Sequence, residues 1–135
     1  MALSWYRGPG HNHIAASFSS GLVSIWDLST TSPLLRREGR VVLPWQTWLA
    51  HAGSVTSLCL YPGVEDSPMY LVTGGSDRFY RMWDLRGAMV PVQECQRGLV
   101  TGVGWLPGWN AACVAYDDLY LQGFTHWYST SLITQ

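Results

Sequence analysis

The stretch Ile14-Ala15-Ala16-Ser17-Phe18-Ser19-Ser20-Gly21-Leu22-Val23-Ser24-Ile25-Trp26-Asp27-Leu28 decides the reading of the chain, because its pattern occurs again. Displaced by 57 residues, it falls without a gap on Leu71-Val72-Thr73-Gly74-Gly75-Ser76-Asp77-Arg78-Phe79-Tyr80-Arg81-Met82-Trp83-Asp84-Leu85. Ser19/Ser76, Trp26/Trp83, Asp27/Asp84 and Leu28/Leu85 are identical, and apolar character agrees at positions 14/71, 23/80 and 25/82. In each copy two runs of strand-forming residues flank a short turn of Ser, Gly and Asp, which is the pattern of a β-hairpin. A third copy, Cys113 to Phe124, lies 41 residues further on, with Phe124-Thr125 in the place of Trp-Asp.

The segments before the hairpins repeat as well. Ala2 to Gly8, Ser57 to Gly63 and Val103 to Gly108 are each a short apolar strand closed by Gly or Pro-Gly. Outer strands are expected over roughly 45–50, 92–96 and 127–133, with a surface loop over 29–44. The chain thus divides into units of four short strands, approximately 1–50, 51–96 and 97–135, a period of about 40–45 residues.

Composition supports an all-β fold. Of 135 residues only 13% are charged, about half the usual ~25%. Aromatics are 13%, eight of them Trp, and 14 Gly and 7 Pro are spread along the chain. Such a mixture favours short strands and tight turns over long helices. No apolar run reaches the ~18 residues that a membrane-spanning helix needs, so no membrane role is expected. Met1 to Arg7 has neither the basic start nor the apolar core of a secretory signal. A net charge of −1 leaves no electrostatic footprint for autonomous nucleic-acid binding. Cys59, Cys95 and Cys113 lack the spacing of a disulfide framework or zinc knuckle, and read as buried free thiols in a reducing compartment.

Four-stranded units ending in Trp-Asp resemble the WD-repeat β-propeller family. The resemblance implies roles for the second unit. Ala50-His51 stands where the family has Gly-His, Thr73 lies on the second strand, Asp77 in the hairpin turn and Trp83 on the third strand. In the family these four form a buried chain of hydrogen bonds, Trp to Thr to His to Asp. A buried Trp needs a partner for its indole N–H, and an unpaired buried polar group costs about 1–3 kcal/mol. His51, Thr73, Asp77 and Trp83 are therefore read as structural. The first unit has Ala16 and Ser20 in place of the Thr and Asp; the third has Asp118 but Phe124, and no His near Arg97. A propeller closes with about four to eight blades. The expectation is about three blades of an incomplete, seven-bladed propeller.

A narrower resemblance lies in Arg7-Gly8-Pro9-Gly10-His11-Asn12-His13-Ile14-Ala15-Ala16-Ser17-Phe18-Ser19-Ser20-Gly21. It continues in Ser32-Pro33-Leu34-Leu35-Arg36, Leu49-Ala50-His51 and Gly75-Ser76-Asp77-Arg78. These stretches, in this order, resemble the WD-repeat (beta) subunits of transcription factor IIIC. The resemblance implies a nuclear, non-enzymatic scaffold bound to the other subunits of that complex. The complex acts at transfer-RNA and 5S ribosomal RNA genes for RNA polymerase III. Contact with promoter DNA would be indirect, with no cofactor and no small-molecule substrate. A generic WD-repeat adaptor, or a substrate receptor of a ubiquitin ligase, is the alternative.

Other candidates read as ordinary surface or core. His11 and His13 alternate as two metal ligands on a strand could, but no Cys or carboxylate cluster accompanies them, and they read as turn polarity. Asp117-Asp118 could serve acid–base chemistry, yet adjacent hairpin residues point apart and Asp118 aligns with Asp77. No nucleophile motif such as G-x-S-x-G accompanies the Ser residues near His13 or His126. Arg36, Arg37 and Arg40 could touch phosphate backbone or a partner once the complex is on DNA, but the cluster is small and interrupted by Glu38, and it reads as a solvated loop. Trp45 and Trp48 are expected on opposite faces of an edge strand, one ring entering the core and the other meeting the rim or a partner.

Overall fold

The computed structural model describes residues 3–8, 11–28, 43–61, 70–85, 89–106, 111–124 and 129–131. Among them there are twelve strands and no helix. Strands β1 (Leu3–Gly8), β2 (His11–Ser17), β3 (Leu22–Asp27) and β4 (Gln46–Leu49) form one antiparallel sheet in chain order. A second sheet contains β5 (Val55–Tyr61), β6 (Tyr70–Gly75), β7 (Phe79–Asp84) and β8 (Pro91–Gln96). The third contains β9 (Val100–Leu106), β10 (Ala111–Tyr116), β11 (Leu121–Phe124) and β12 (Ser129–Ser131). The first outer strand is shorter than the sequence suggests, since β4 omits Trp45 and Ala50. Of the strand expected over 127–133, β12 covers 129–131 and the rest lies outside the described residues.

The hairpin turns show the repeat at atomic level. Gly21 N–H donates to Phe18 O (3.1 Å), Arg78 N–H to Gly75 O (3.1 Å) and Leu119 N–H to Tyr116 O (3.2 Å). The residue closing each turn has a left-handed backbone, with φ of +93° at Gly21, +72° at Arg78 and +68° at Leu119. These positions are separated by the same 57 and 41 residues as the sequence copies. Only the first is glycine, the residue that adopts this conformation without steric cost.

Burial follows from stacking. Every residue of β6 from Leu71 to Gly75 is buried, as expected of a strand covered on both faces. Leu71, with Trp83 and Leu60, packs toward Ala15, Val23, Ile25 and Trp48 of the first sheet. Val72, with Tyr80 and Met82, packs toward Val100, Ala112, Val114 and Tyr116 of the third. The outer strand β8 instead alternates half-buried and exposed. Polar bonds stitch the stack: the main-chain N–H of Leu60 donates to Ser4 Oγ at 3.1 Å, and Thr56 Oγ1 donates to Val100 O at 2.8 Å.

Cys59, Cys95 and Cys113 are free, but half-buried rather than buried. His11 and His13 lie on β2, not in a turn. His13 is a buried strand residue whose Nε2 stands 3.5 Å from the Asp27 carboxylate.

Candidate functional site

The second sheet brings four side chains into one line. Thr73 on β6 and Trp83 on β7 are diagonal neighbours on one face of the hairpin, since Thr73 pairs with Arg81 and Leu71 with Trp83. Trp83 Nε1–H donates to Thr73 Oγ1 at 3.0 Å. Thr73 Oγ1 stands 2.8 Å from His51 Nε2, and His51 Nδ1 stands 2.9 Å from Asp77 Oδ1. One tautomer satisfies all four groups: the Thr73 hydroxyl donates to Nε2, and Nδ1–H donates to the carboxylate. Asp77 also accepts from the main-chain N–H of Ala52 (3.0 Å) and Phe79 (3.1 Å), tying the loop after β4 to the β6–β7 turn. Gly75 permits the approach, because a Cβ there would lie 2.5 Å from the imidazole and 2.6 Å from Asp77 Oδ1.

The electrostatics agree with a neutral imidazole. Burial pushes the His51 pKa below its ordinary 6.5; Asp77 opposes this and the nearby Arg81 reinforces it. Burial alone would raise the Asp77 carboxyl, but the amides of Ala52 and Phe79, with His51, outweigh it and hold the group below the usual carboxylate range. Hydroxyl, imidazole and carboxylate stand in the order of a nucleophilic triad. Thr73 is nevertheless fully buried, and its oxygen accepts the Trp83 N–H. The hydroxyl is thereby turned inward to its own partners, with no side open to a substrate.

Arg81 belongs to the same cluster, and the sequence did not single it out. Its Nη1–H donates to Ala50 O at 2.8 Å and to Asp77 Oδ2 at 3.3 Å, and its Nε–H donates to Glu94 Oε2 at 2.9 Å. The guanidinium also lies 4.3 Å from the centre of the Phe79 ring. The signal was available only through pairing: Arg81 lies opposite Glu94 across β7 and β8.

The other sequence candidates are scattered. Trp48 is buried, with its ring 5.5 Å from that of Trp83 in an edge-on contact. Trp45 precedes β4, is 47% exposed, and lies edge-on to His13 at 6.1 Å. Arg36, Arg37 and Arg40 lie outside the described residues. Asp118 forms a two-pronged pair with Arg97, both contacts at 3.2 Å, and that bond holds its carboxyl below the ordinary range. Among the described residues no three His, Cys, Asp or Glu side chains are grouped as a metal set.

Beside the cluster, between β4 and β8, runs a groove of about 400 Å³. Trp83, Met89, Leu49 and Val90 line it, with Arg81 and Glu94 at its polar end.

With this geometry in place, similarity to known proteins becomes informative. Human general transcription factor 3C polypeptide 2 is 36% identical over 124 residues, 89% of this chain. The orangutan protein of the same name matches to the same extent. The chain is similar to general transcription factor 3C polypeptide 2. The resemblance drawn from the stretch over 7–21 and the shorter segments after it is borne out. The chain spans 13% of the length of these relatives. Protein GFS12 of Arabidopsis thaliana is 33% identical over 97 residues, covering 72% of this chain and 5% of its own length. No family model matches the chain. Among solved structures, a chain of the mitotic checkpoint complex superposes with a TM-score of 0.71 at 18% identity. It covers 96% of this chain and 37% of its own length, and it is a WD40 propeller. At that identity the likeness speaks to fold, and it supports the all-β, propeller-type architecture.

Proposed function

We propose that this chain is part of the propeller of a scaffold subunit of transcription factor IIIC. In this reading it holds other subunits by protein–protein contacts and supports transcription of transfer-RNA and 5S ribosomal RNA genes by RNA polymerase III. The 36% identity to general transcription factor 3C polypeptide 2 over most of the chain carries the reading. Its work is done in the nucleus, and promoter DNA is reached through the assembly. The described residues of three stacked sheets would be about three blades of a larger, seven-bladed ring.

The geometry supports a non-enzymatic role. The hydroxyl, imidazole and carboxylate that could perform chemistry are committed to one another and to Trp83. A closed polar network of this kind stiffens a framework, and stiff frames present loops and grooves to partners. The role of His51, Thr73, Asp77 and Trp83 is then to fix the second blade.

Depleting the endogenous protein from nuclear extract and transcribing a transfer-RNA gene tests the reading. Transcript should fall at least tenfold, and adding back the purified complex should restore it. Undiminished transcription after complete depletion would contradict it.

A further inference from the structure

The groove between β4 and β8 is flanked by apolar side chains that face water. Leu49 on one side is 64% exposed and Val90 on the other is 63% exposed. Trp83 and Met89 line the groove; Trp83 belongs to the apolar cluster that joins the first and second sheets, and Met89 packs against that cluster. A side chain entering here would extend an interface that already exists, instead of opening a new one. A volume of about 400 Å³ is in the range that receives large side chains.

The polar end has a definite charge. Arg81 is held by two carboxylates, Asp77 and Glu94, while the buried His51 is neutral. Among the described residues, one cation against two anions leaves this end negative. Glu94 meets Arg81 through one oxygen and is half exposed, so it remains available to a second cation.

We propose that the groove receives an extended segment of a partner protein. A large aliphatic or aromatic residue of that segment sits on Trp83 and Met89, and an adjacent Lys or Arg meets Glu94. The inference rests on the scaffold reading above and names the chemistry of one contact. Apolar anchors in desolvated pockets carry most of the energy of such interfaces, while the charged rim sets orientation and partner choice.

The test is site-directed photo-crosslinking in the intact endogenous assembly, with benzoyl-phenylalanine at Val90 in the full-length protein. The cross-link is expected on a segment with an apolar residue within two positions of Lys or Arg. It should be lost with Leu49→Asp, fall about tenfold with Glu94→Arg, and persist with Leu119→Asp. Cross-linking to an acidic or wholly polar segment, to a second copy of this chain or to nucleic acid would overturn the proposal. So would a yield no higher than that of the same probe at Leu119. The owner of the segment tests something else. A basic-apolar segment from a protein outside transcription factor IIIC would sink the functional reading and leave the groove's chemistry standing.

Discussion

Arg97 stands in the loop before the third sheet where His51 stands before the second. The main-chain N–H of His51 donates to Gly21 O (3.3 Å), and that of Arg97 donates to Arg78 O (3.2 Å), the equivalent residue one repeat later. Each side chain then reaches the aspartate of the following hairpin turn, Asp77 for His51 and Asp118 for Arg97. The two pairs differ in surroundings. His51 is buried and continues inward to Thr73 and Trp83. Arg97 keeps to the surface, its guanidinium 3.7 Å from the centre of the Tyr120 ring. The same scaffold position is thus filled by a core link in one sheet and a surface link in the next.

This difference separates the two aspartates. Asp77→Ala strands the buried imidazole and two main-chain amides, and should cost about 1–3 kcal/mol. Asp118→Ala removes an exposed pair and should leave the midpoint nearly unchanged. Urea denaturation of the full-length variants measures both.

Trp83→Ala should destabilise the full-length protein by about 3–5 kcal/mol, the range for emptying a large core site. Trp26→Ala should cost less. Its ring is only half-buried, and Ala16 stands where Thr73 supplies a hydroxyl. Equal losses in urea melts would contradict the weight placed on the network.

Acid should weaken the second sheet in two steps. His51 has a folded pKa below 6.5, so the unfolded chain binds its proton first and stability declines as pH falls below about 6.5. Asp77 also has a depressed folded pKa, so its contribution, full above 3.8, is lost as pH falls through the folded value. Thermal melts between pH 8 and 4 should show the upper step, and His51→Gln should abolish it.

Both ends of the stack present surface suited to further packing. The third sheet turns Gly102 and Gly104 toward open space, with nothing within 4 Å of a Cβ placed there. The first sheet exposes Leu22 (37%) on the face opposite Val23 and Ile25, which pack against the second sheet. Residues 1–135 expressed alone should therefore self-associate; a sharply melting monomer on size exclusion would contradict this.

The first two hairpins were legible in the sequence because local chemistry makes them: turn residues at 18–21 and 75–78, and a Trp-Asp that closes β3 and β7. The left-handed backbone at Arg78 and Leu119 was not legible, since neither residue type signals it. Arg81 was missed for a different reason. Its partners are Ala50 O, Asp77 and Glu94, so its role is set by how three elements meet. The burial of His13 beside Asp27 is likewise a product of strand pairing, for the two residues are register partners on β2 and β3.

The most direct measurement is affinity purification of the endogenous full-length protein from nuclear extract, with its companions identified by mass spectrometry. The other subunits of transcription factor IIIC should be recovered in comparable amounts. Recovery of a cullin-type ligase or a cytoplasmic assembly, with no polymerase III machinery, would leave the fold standing and contradict the function.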